Sequence, residues 1–443
     1  NTTIRTNPIG YASQASVEAS TATQAPADAL RDLNTHLFVV ADDSRTRIVS
    51  NIDFSLQQDA DHSIPVLGQV PAMHPAQLGD PSFCADHAIQ YPYVGGAMAN
   101  GIASVEFVEA LSRAGMLGFF GAAGLDVALV EKSVDRLIAS LGDSPFGVNL
   151  IHSPNESAVE MAVANLLIDR NVQLVEASAF LKITPPIVKY RLTGIHRNDQ
   201  GVVIAPNHVV AKVSREELAE KFFSPAPDKI VNKLLEAGEI TQEETELSKF
   251  IPMAQDITAE ADSGGHTDHR PALALLPTLL SLRDRMETEH GYNVSLRVGL
   301  GGGISTPASA LAAFAMGAAY IVTGSVNQAC QESGTSDIVR EMLAETKQAD
   351  VAKAPAADMF EMGVTVQVLK RGTMFAMRGN KLYELYRAHA SMDEIPEVDR
   401  VKLEKQTFRA TLEETWANTK EFWQERDPRQ IDRAERDPKH KMA

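Results

Sequence analysis

Eight short apolar runs between residues 91 and 323 alternate with stretches in which apolar residues recur at helical spacing. Such runs predict buried β-strands, and the helical spacing predicts amphipathic helices between them. The predicted strands are residues 91–97, 117–120, 147–151, 172–176, 208–213, 256–260, 295–299 and 319–323. Predicted helices include residues 105–114, 127–141, 157–169 and 272–289. This α/β alternation is typical of βα units on a parallel sheet, which either closes into a barrel or stays open and doubly wound.

The regions on either side of the alternation differ from it. Residues 1–85 are polar at first and Pro-rich later, and we expect an irregular N-terminal extension with one hairpin, whose strands cover residues 35–41 and 46–50. After residue 350 we expect no further strands, because residues 351–443 have the Glu-, Arg- and Lys-rich pattern of a helical tail. The repeating βα units therefore lie within residues 86–350.

Two segments near the fifth predicted strand depart from the regular alternation. Residues 190–194 and 201–205 predict a small hairpin before that strand. Residues 214–255, after it, predict a charged helical insertion that is far longer than the usual βα loop. Because such loops emerge at the carboxyl ends of the strands, we expect a helical lid over the catalytic face. A helical decoration without a gating role is the alternative.

Charge and composition narrow the classes of partner. The formal net charge of -17 argues against nucleic acid, because phosphate contacts need a basic surface. No run approaches the length of a bilayer-spanning helix, and the first residues lack the basic-then-apolar order of a secretory signal. The two cysteines, Cys84 and Cys330, form no disulfide framework and fit a reducing compartment. We therefore expect a cytoplasmic protein that binds neither membrane nor nucleic acid.

Three consecutive glycines, Gly301, Gly302 and Gly303, follow the seventh predicted strand. Thr306 and Pro307 then open an Ala-rich helix, a combination that is typical of a helix start. Glycines let backbone N–H groups approach an anion, and the helix N-terminus adds partial positive charge. The pattern favours a phosphate site, although a tight βα turn that needs positive φ angles would use the same residues.

A second small polar turn, formed by Thr323, Gly324 and Ser325, ends the eighth predicted strand. Such a turn is not specific by itself. In (β/α)8 barrels, however, phosphate sites form between the loops after strands seven and eight. The two turns together therefore predict a phosphate site and favour a closed (β/α)8 TIM barrel over an open sheet.

The sixth predicted strand leads into Gly264, Gly265 and His266. The glycines permit close approach of a planar ligand, and an imidazole can donate a proton or polarise a carbonyl near neutral pH. We therefore expect His266 to face a substrate, with a purely structural histidine as the alternative. His266 and His269 with a neighbouring aspartate could bind a metal, but no further ligand cluster accompanies them, so we expect no metal.

The first predicted strand ends in Gly96, Ala97 and Met98. Small residues and a methionine make a flat, apolar floor that suits the isoalloxazine ring of a flavin. Close packing between a strand and a helix would use the same residues. The two phosphate-type turns elsewhere in the chain favour the flavin interpretation.

Together these motifs resemble the family of nitronate monooxygenases and FMN-dependent enoyl-acyl carrier protein reductases. Three longer runs are similar to the PfaD branch, which comprises trans-acting enoyl reductases of polyunsaturated fatty acid synthases and certain polyketide synthases. The runs are Glu260-Ala-Asp-Ser-Gly-Gly-His-Thr-Asp-His-Arg-Pro271, Val368-Leu-Lys-Arg-Gly-Thr-Met-Phe375 and Trp416-Ala-Asn-Thr-Lys-Glu-Phe-Trp423. The likeness extends over nearly the whole chain, including the extension and the tail.

The resemblance implies flavin mononucleotide (FMN) in the barrel and NADPH, or NADH, as the reductant that saturates a trans-2-enoyl chain on an acyl carrier protein. It implies that Asn149 contacts the flavin and that Lys212 places positive charge near flavin N1. It also implies that His266 is the active-site histidine, which polarises the thioester carbonyl or supplies the proton. The glycine turns would hold the phosphate, and residues 96–98 would support the ring. The expected partners are acyl carrier protein domains of a synthase. The sequence is also compatible with a homodimer.

Two other functions remain open at this point. A nitronate monooxygenase would share the barrel, the FMN and the histidine, but would oxidise a small nitronate with O₂. A non-catalytic flavin-binding component of a synthase would need no flavin that NADPH can reduce. The insertion, the extension and the PfaD-type runs favour the enoyl reductase.

A basic segment late in the chain bears on the partner. Lys370, Arg371, Arg378, Lys381 and Arg387 lie within residues 368–387, where Glu384 is the only acid. We expect this segment to lie near the barrel mouth and to offer a docking patch for an acidic carrier protein, which the overall charge would otherwise repel. A solvated helix face that pairs with the protein's own acids is the alternative.

Overall fold

The computed structural model describes residues 7–20, 26–42, 45–154 and 156–443. Contacts divide the chain into two compact units, one up to Leu78 and one from Gly79 onward. The elements of the first unit are β1 Gly10–Ser13, α1 Gln14–Ala19, α2 Pro26–Ala29, β2 Leu37–Asp42, β3 Arg45–Ser50, β4 Phe54–Ser55 and β5 His62–Val70. Its strands form one antiparallel sheet in the order β3-β2-β5-β1-β4.

The first unit is more regular than its sequence predicts. The expected hairpin is β2 and β3, in which Leu37 pairs with Ser50, and residues 43 and 44 of its turn lie outside the described residues. The other three strands were not predicted. Strands β1 and β4 are too short to show an alternating pattern, and β1 is ordered by pairing with the distant β5, for example Tyr11 with Pro65.

Eight parallel strands of the second unit form a closed barrel, which confirms the predicted fold class. The second unit's strands are β6 Tyr93–Gly95, β7 Leu117–Phe120, β8 Gly147–Ile151, β9 Leu174–Ser178, β10 His196–Arg197, β11 Val203–Ile204, β12 His208–Val213, β13 Asp256–Glu260, β14 Arg297–Gly301 and β15 Ile321–Thr323. The barrel consists of β6 to β9 and β12 to β15, while β10 and β11 form a separate hairpin. No barrel-strand bound differs from its prediction by more than two residues.

Helices surround the barrel. They are α3 Pro81–Asp86, α4 Val105–Arg113, α5 Val127–Leu141, α6 Ser157–Asp169, α7 Pro185–Leu192, α8 Glu216–Phe223, α9 Asp228–Glu236, α10 Gln242–Leu247, α11 Ala272–His290, α12 Pro307–Ala315 and α13 Asp337–Ala344. Helix α5 shows how the sequence determines them. The side chain of Asp126 caps its first turn by accepting from the Leu129 N–H, and the helix ends at Gly142, whose φ is 55°. Its buried side chains recur at helical spacing, and each such burial contributes roughly 1.5–3 kcal/mol; they are Val130, Val134, Leu137 and Leu141.

The structure corrects the predicted strand at residues 190–194. Tyr190 and Leu192 lie at the end of helix α7, which begins with Pro185 and Pro186 after Thr184. Both side chains are fully buried. Apolar residues at alternate positions, Tyr190 and Leu192 with Arg191 between them, imitate a strand pattern over a segment this short, so the sequence placed the first strand of the hairpin too early.

The structure also corrects the place of the insertion over residues 214–255. Its helices α8, α9 and α10 form as predicted, but α8 is the regular helix that follows a barrel strand and packs against α11. Helix α9 packs against α7, and Lys189 of α7 pairs with Glu239 after α9. The additional helices therefore lie in the connection that leads to the amino end of β13, away from the catalytic face where a lid would lie.

Strands do not stop at residue 350, contrary to the prediction. Strands β16 Val351–Pro355 and β17 Thr365–Leu369 form an antiparallel hairpin. Every residue of β17 is half-buried, and its sequence Thr-Val-Gln-Val-Leu alternates polar with apolar side chains over only four positions, a signal too brief to mark a strand in a region of helical pattern. The helices that follow agree with the predicted tail: α14 Phe375–Ala388, α15 Glu397–Lys402, a π-helix over Leu403–Phe408, α16 Leu412–Arg426, α17 Arg429–Arg436 and α18 Pro438–Met442. Among the described helices, none has both the length and the apolar character needed to span a membrane.

A buried ionic network closes the amino end of the barrel. Arg297, at the start of β14, donates from Nε to Asp256 Oδ1 at 2.6 Å and from Nη1 to Asp86 Oδ2 at 2.7 Å. His87 Nε2 lies 2.9 Å from Asp256 Oδ2. Burial alone would raise the pKa of Asp256, but Arg297 and His87 together outweigh it and lower the pKa to about 2. Asp256 and Arg297 are thus buried together as a compensated pair.

His208 borders this network at the start of β12. Its Nδ1 is buried and has no hydrogen-bond partner within the part of the chain that the structure describes. Burial, Arg191 and His87 lower the pKa of His208 to about 4, against the opposing effect of Asp256 and Asp86. The folded protein therefore holds this imidazole neutral under conditions in which an unfolded chain would protonate it.

We predict that His208 makes the protein acid-sensitive. Because its pKa is lower in the folded state, its contribution to stability is fully present above about pH 6.5 and is lost progressively down to about pH 4, by roughly 3 kcal/mol in all. Urea unfolding of His208→Gln should show a smaller loss of stability between these pH values than the wild type. His196→Gln, at an exposed site, should behave as the wild type; equal pH slopes for all three proteins would contradict the prediction.

Candidate active site

The predicted site residues lie at the carboxyl ends of the barrel strands and on the loops that follow them. The loop after β6 is held by its backbone, since the Gly96 N–H donates to the Thr323 carbonyl at 2.9 Å and the Ala97 N–H donates to Glu176 Oε2 at 3.0 Å. A Cβ on Gly121 would lie 1.7 Å from the Met98 carbonyl oxygen, so the loops after β6 and β7 touch backbone to backbone. Residues 96–98 therefore form a fixed floor at the carboxyl end of the barrel.

Three charged side chains project from neighbouring strands inside this end of the barrel. Glu176 of β9 is fully buried, and its Oε2 lies 3.2 Å from Lys212 Nζ of β12. Lys212 Nζ also lies 4.0 Å from Glu260 Oε1 at the end of β13. The other oxygen of Glu176, Oε1, is buried and has no hydrogen-bond donor among the described residues. One ammonium group thus lies between two carboxylates.

Burial and neighbouring charges together shift the pKa of two members of this triad. Burial acts to lower the pKa of Lys212, but the attraction of Glu176 and Glu260 outweighs it and the pKa is raised. Burial raises the pKa of Glu260, Lys212 opposes the shift, and the charge of Glu176 adds to it. Lys212 is therefore a permanent cation in the site, and Glu260 takes up a proton more readily than an ordinary glutamate.

Asn149 of β8 is buried beside the triad. Its Nδ2 donates to the Glu176 carbonyl at 3.0 Å and to Ser178 Oγ at 2.9 Å. Both amide hydrogens are therefore used by strand β9. A ligand could meet Asn149 only through its Oδ1.

The two glycine turns lie side by side, because Gly301 of β14 pairs with Val322 of β15. Gly302 has a φ of 98°, and a Cβ there would lie 2.8 Å from the Ala261 carbonyl oxygen, so position 302 excludes any side chain. Gly303 and Gly324 differ, because a Cβ at either position would meet no atom within 4 Å.

Backbone donors face the open space at these turns. The N–H groups of Gly303, Gly324 and Ser325 donate to no acceptor within the described ranges. Helix α12 begins a few residues later, where Thr306 caps its first turn. Free N–H groups beside a helix N-terminus attract an anion.

Thr323 serves a different purpose from its neighbours in the eighth-strand turn. Its Oγ1 donates to Tyr93 Oη at 2.7 Å and accepts from Asn327 Nδ2 at 2.8 Å. The hydroxyl therefore anchors the turn to β6 and to the chain that follows. The backbone N–H groups of Gly324 and Ser325, and the exposed Ser325 hydroxyl, are left for a ligand.

The loop after β13 carries His266 to the same region. A Cβ on Gly264 would lie 3.0 Å from Ser325 Oγ, which brings this loop against the turn after β15. A Cβ on Gly265 would lie 3.8 Å from Glu260 Oε1. His266 Nε2 lies 2.9 Å from Asp358 Oδ1, in the connection between β16 and β17.

Three residues of the site, Glu176, Glu260 and Asp358, were not among the predicted site residues. Glu176 is the single charge in the strand sequence Leu-Val-Glu-Ala-Ser, and a buried charge in an apolar run is a signal that could have identified it. Asp358 offered no such signal, because its contact with His266 depends on how the C-terminal hairpin docks on the barrel. Asp262 Oδ1 and His269 Nδ1 pair at 2.7 Å, separately from His266.

Comparison with known proteins agrees with this architecture. Residues 82–374 match the family model for nitronate monooxygenase, and residues 389–443 match the model for the inserted helical domain of [acyl-carrier-protein] S-malonyltransferase. The enoyl reductase domain of MlnA, from the macrolactin biosynthesis cluster of Bacillus amyloliquefaciens, has a similar structure. It is 40% identical, with a TM-score of 0.78, over 83% of this chain and 82% of that one.

Two curated relatives are larger proteins. The chain is 48% identical over 389 residues to one of the polyunsaturated fatty acid synthase subunits of Thraustochytrium sp., covering 86% of this chain and 26% of that protein. It is 46% identical over 367 residues to polyketide biosynthesis protein PksE of Bacillus subtilis, covering 83% of this chain and 48% of that protein. The chain thus spans between about a quarter and about a half of the length of these relatives.

Proposed function

Because the chain belongs to the nitronate monooxygenase family and, within it, to the PfaD-type branch, we propose that it is an FMN-dependent enoyl reductase. In this proposal it uses NADPH to saturate a trans-2-enoyl chain carried on an acyl carrier protein domain of a polyunsaturated fatty acid or polyketide synthase. The observation that carries the proposal is the barrel mouth. There an anion cradle between β14 and β15, a buried cation and His266 meet at one end of the strands.

The residues at the mouth fit FMN. The free N–H groups of Gly303, Gly324 and Ser325 would hold the phosphate, in space that side chains at these glycines would fill. Residues 96–98 would support the ring, and Lys212 would place positive charge beside it. When bound, FMN supplies hydride transfer from NADPH to the β-carbon of the enoyl chain.

His266 would complete the reduction by acting on the other end of the double bond. Addition of hydride at the β-carbon leaves negative charge on the α-carbon and the thioester oxygen. His266 would donate a hydrogen bond to that oxygen or a proton to the α-carbon, and would regain the proton from solvent. Its side chain is 25% exposed, so exchange with solvent is open. Glu260, below the same loop, would contribute a second protonatable group.

We predict that Gly324→Val yields folded protein without bound FMN. A Cβ at position 324 meets no protein atom within 4 Å and the backbone there has no positive φ that would strain a side chain, yet the valine would extend into the space proposed for the phosphate. The measurement is the ratio of flavin to protein absorbance after loading with FMN. Gly68→Val is the matched control, because it also adds a side chain in open space and lies in the N-terminal unit. Full flavin occupancy in Gly324→Val would remove the phosphate assignment.

The reaction itself divides into two steps that can be measured separately. Anaerobic NADPH should bleach the FMN-loaded protein, and crotonyl thioester should restore its colour, whereas a nitronate monooxygenase would respond to a nitronate and O₂. In His266→Ala the bleaching should persist, and reoxidation by the thioester should slow by roughly 10²–10⁴-fold, which is typical for loss of a positioned acid–base group. Wild-type reoxidation in this variant would make His266 structural. A protein that NADPH cannot bleach would be the non-catalytic component.

The basic segment is proposed as the docking patch for the carrier protein. It begins at the end of β17, where the Gln367 N–H donates to the Gly264 carbonyl at 3.1 Å, so it starts beside the mouth. Arg371 and Lys381 already pair with Glu345 and Asp399, each at 3.6 Å, as the alternative interpretation expects.

Other members of the segment are available to a partner. Lys370 and Arg378 form no ion pair with the residues that the structure describes. Exposed apolar side chains lie between them, with Met374, Phe375 and Met377 each at least half exposed. An acidic carrier would therefore meet two unpaired cations around a small apolar surface.

We predict that Lys370→Glu with Arg378→Glu raises KM for the carrier-bound substrate several-fold and spares a short free thioester. Charge at a docking rim acts mainly on association, so the effect should weaken with added salt. The control is Lys229→Glu with Lys233→Glu, an equal charge change on exposed side chains of α9. Equal effects of the two double variants would mean that net charge alone is responsible.

A further inference from the structure

We propose that Asp358 is the positioning residue of His266, and that the hairpin of β16 and β17 is therefore part of the active site. This inference rests on the proposed function, because His266 acts there in the step that follows hydride transfer. Asp358 Oδ1 lies 2.9 Å from His266 Nε2. The two residues are 92 positions apart, and they meet only because the hairpin docks on the loop after β13.

Further contacts hold the hairpin on that loop. The backbone N–H of Gln367 donates to the Gly264 carbonyl at 3.1 Å, and its Nε2 donates to Asp262 Oδ1 at 3.0 Å. Thr365 Oγ1 lies 3.4 Å from His269 Nε2. Residues on both sides of His266 are thus tied to β17. Because β17 pairs with β16 along its whole length, the connection that carries Asp358 is held at a fixed place over the loop.

The contact determines which nitrogen of His266 can serve the substrate. A carboxylate at Nε2 accepts its hydrogen, so Nε2 is the protonated nitrogen of the neutral ring and Nδ1 is left to exchange a proton. Burial acts to raise the pKa of Asp358, but the interactions with His266 and the hydrogen bonds from backbone N–H groups together outweigh it, and the pKa is lowered. Asp358 is therefore a carboxylate at neutral pH.

A plain tether between hairpin and loop is the alternative role for this pair. The Asp358 side chain is 49% exposed, and exposed ion pairs stabilise proteins little. The backbone bond from Gln367 to Gly264 would also remain without it. Variants at position 358 should therefore stay folded, which allows their kinetics to be interpreted.

The test uses the FMN-loaded protein under anaerobic conditions. Asp358→Asn should keep its flavin and its rate of bleaching by NADPH, while reoxidation by crotonyl thioester slows by about 10- to 100-fold, because an amide can select the wrong tautomer of the imidazole. The loss should fall on kcat, with KM nearly unchanged. Asp358→Glu should recover part of the rate. The ¹⁵N signals of His266 should show an Nε2-protonated ring in the wild type and a changed tautomer distribution in Asp358→Asn.

Lys353→Gln is the matched control, since Lys353 lies on an exposed position of β16 in the same hairpin. It should match the wild type in every measurement. Wild-type reoxidation by Asp358→Asn, or an unchanged ¹⁵N signature, would overturn the proposal. A loss of flavin or of melting temperature that accounts for the whole rate loss would identify a tether and would equally overturn it. If the enoyl thioester does not reoxidise the bleached wild-type protein, the proposed function fails. The ¹⁵N comparison still decides whether Asp358 sets the tautomer of His266.

Discussion

Pairing between β15 and β6 closes the barrel, and the active site depends on that closure. The Gly96 N–H donates to the Thr323 carbonyl at 2.9 Å, which joins the last strand to the first. Because the strands are parallel and the sheet has no edge, all eight carboxyl ends lie around one rim. Glu176 of the fourth strand can therefore accept a hydrogen bond from Ala97 after the first. A side chain at Gly96 would collide with Val322 at 2.8 Å and would disturb this junction.

Buried charge is distributed differently at the two ends of the barrel. At the amino end, Asp256 and Arg297 satisfy one another, and the pKa of Asp256 is lowered. At the carboxyl end, the Glu176 carboxylate keeps one oxygen without a donor among the described residues, and the pKa of Glu260 is raised. Compensated charge supports the fold, whereas incompletely compensated charge leaves groups that can bind or exchange protons. This division matches the separation of stability and catalysis in barrel enzymes.

The C-terminal region contacts loops at the carboxyl end of the barrel. The hairpin of β16 and β17 brings Asp358 to His266, and the end of α16 brings Arg426 to Glu156 at 2.6 Å, beside the carboxyl end of β8. Residues 389–443, which include α16, match an inserted helical domain known from malonyltransferases. The loop that carries the proposed catalytic histidine is therefore held by elements from outside the barrel.

The sequence alone was sufficient for features that depend on local pattern. Apolar runs and helical periodicity located all eight barrel strands, and glycine followed by a capped helix located the turns that we propose to hold the phosphate, because buried strands and helix starts impose their own residue choices. Contacts between distant segments were decided only by the tertiary structure. The alternation in β17 is too short to establish a strand by itself, the helices after α8 could extend toward either end of the barrel, and Asp358 is one of many aspartates until the hairpin docks. Such features depend on which surfaces meet, and residue pattern along a chain does not record that.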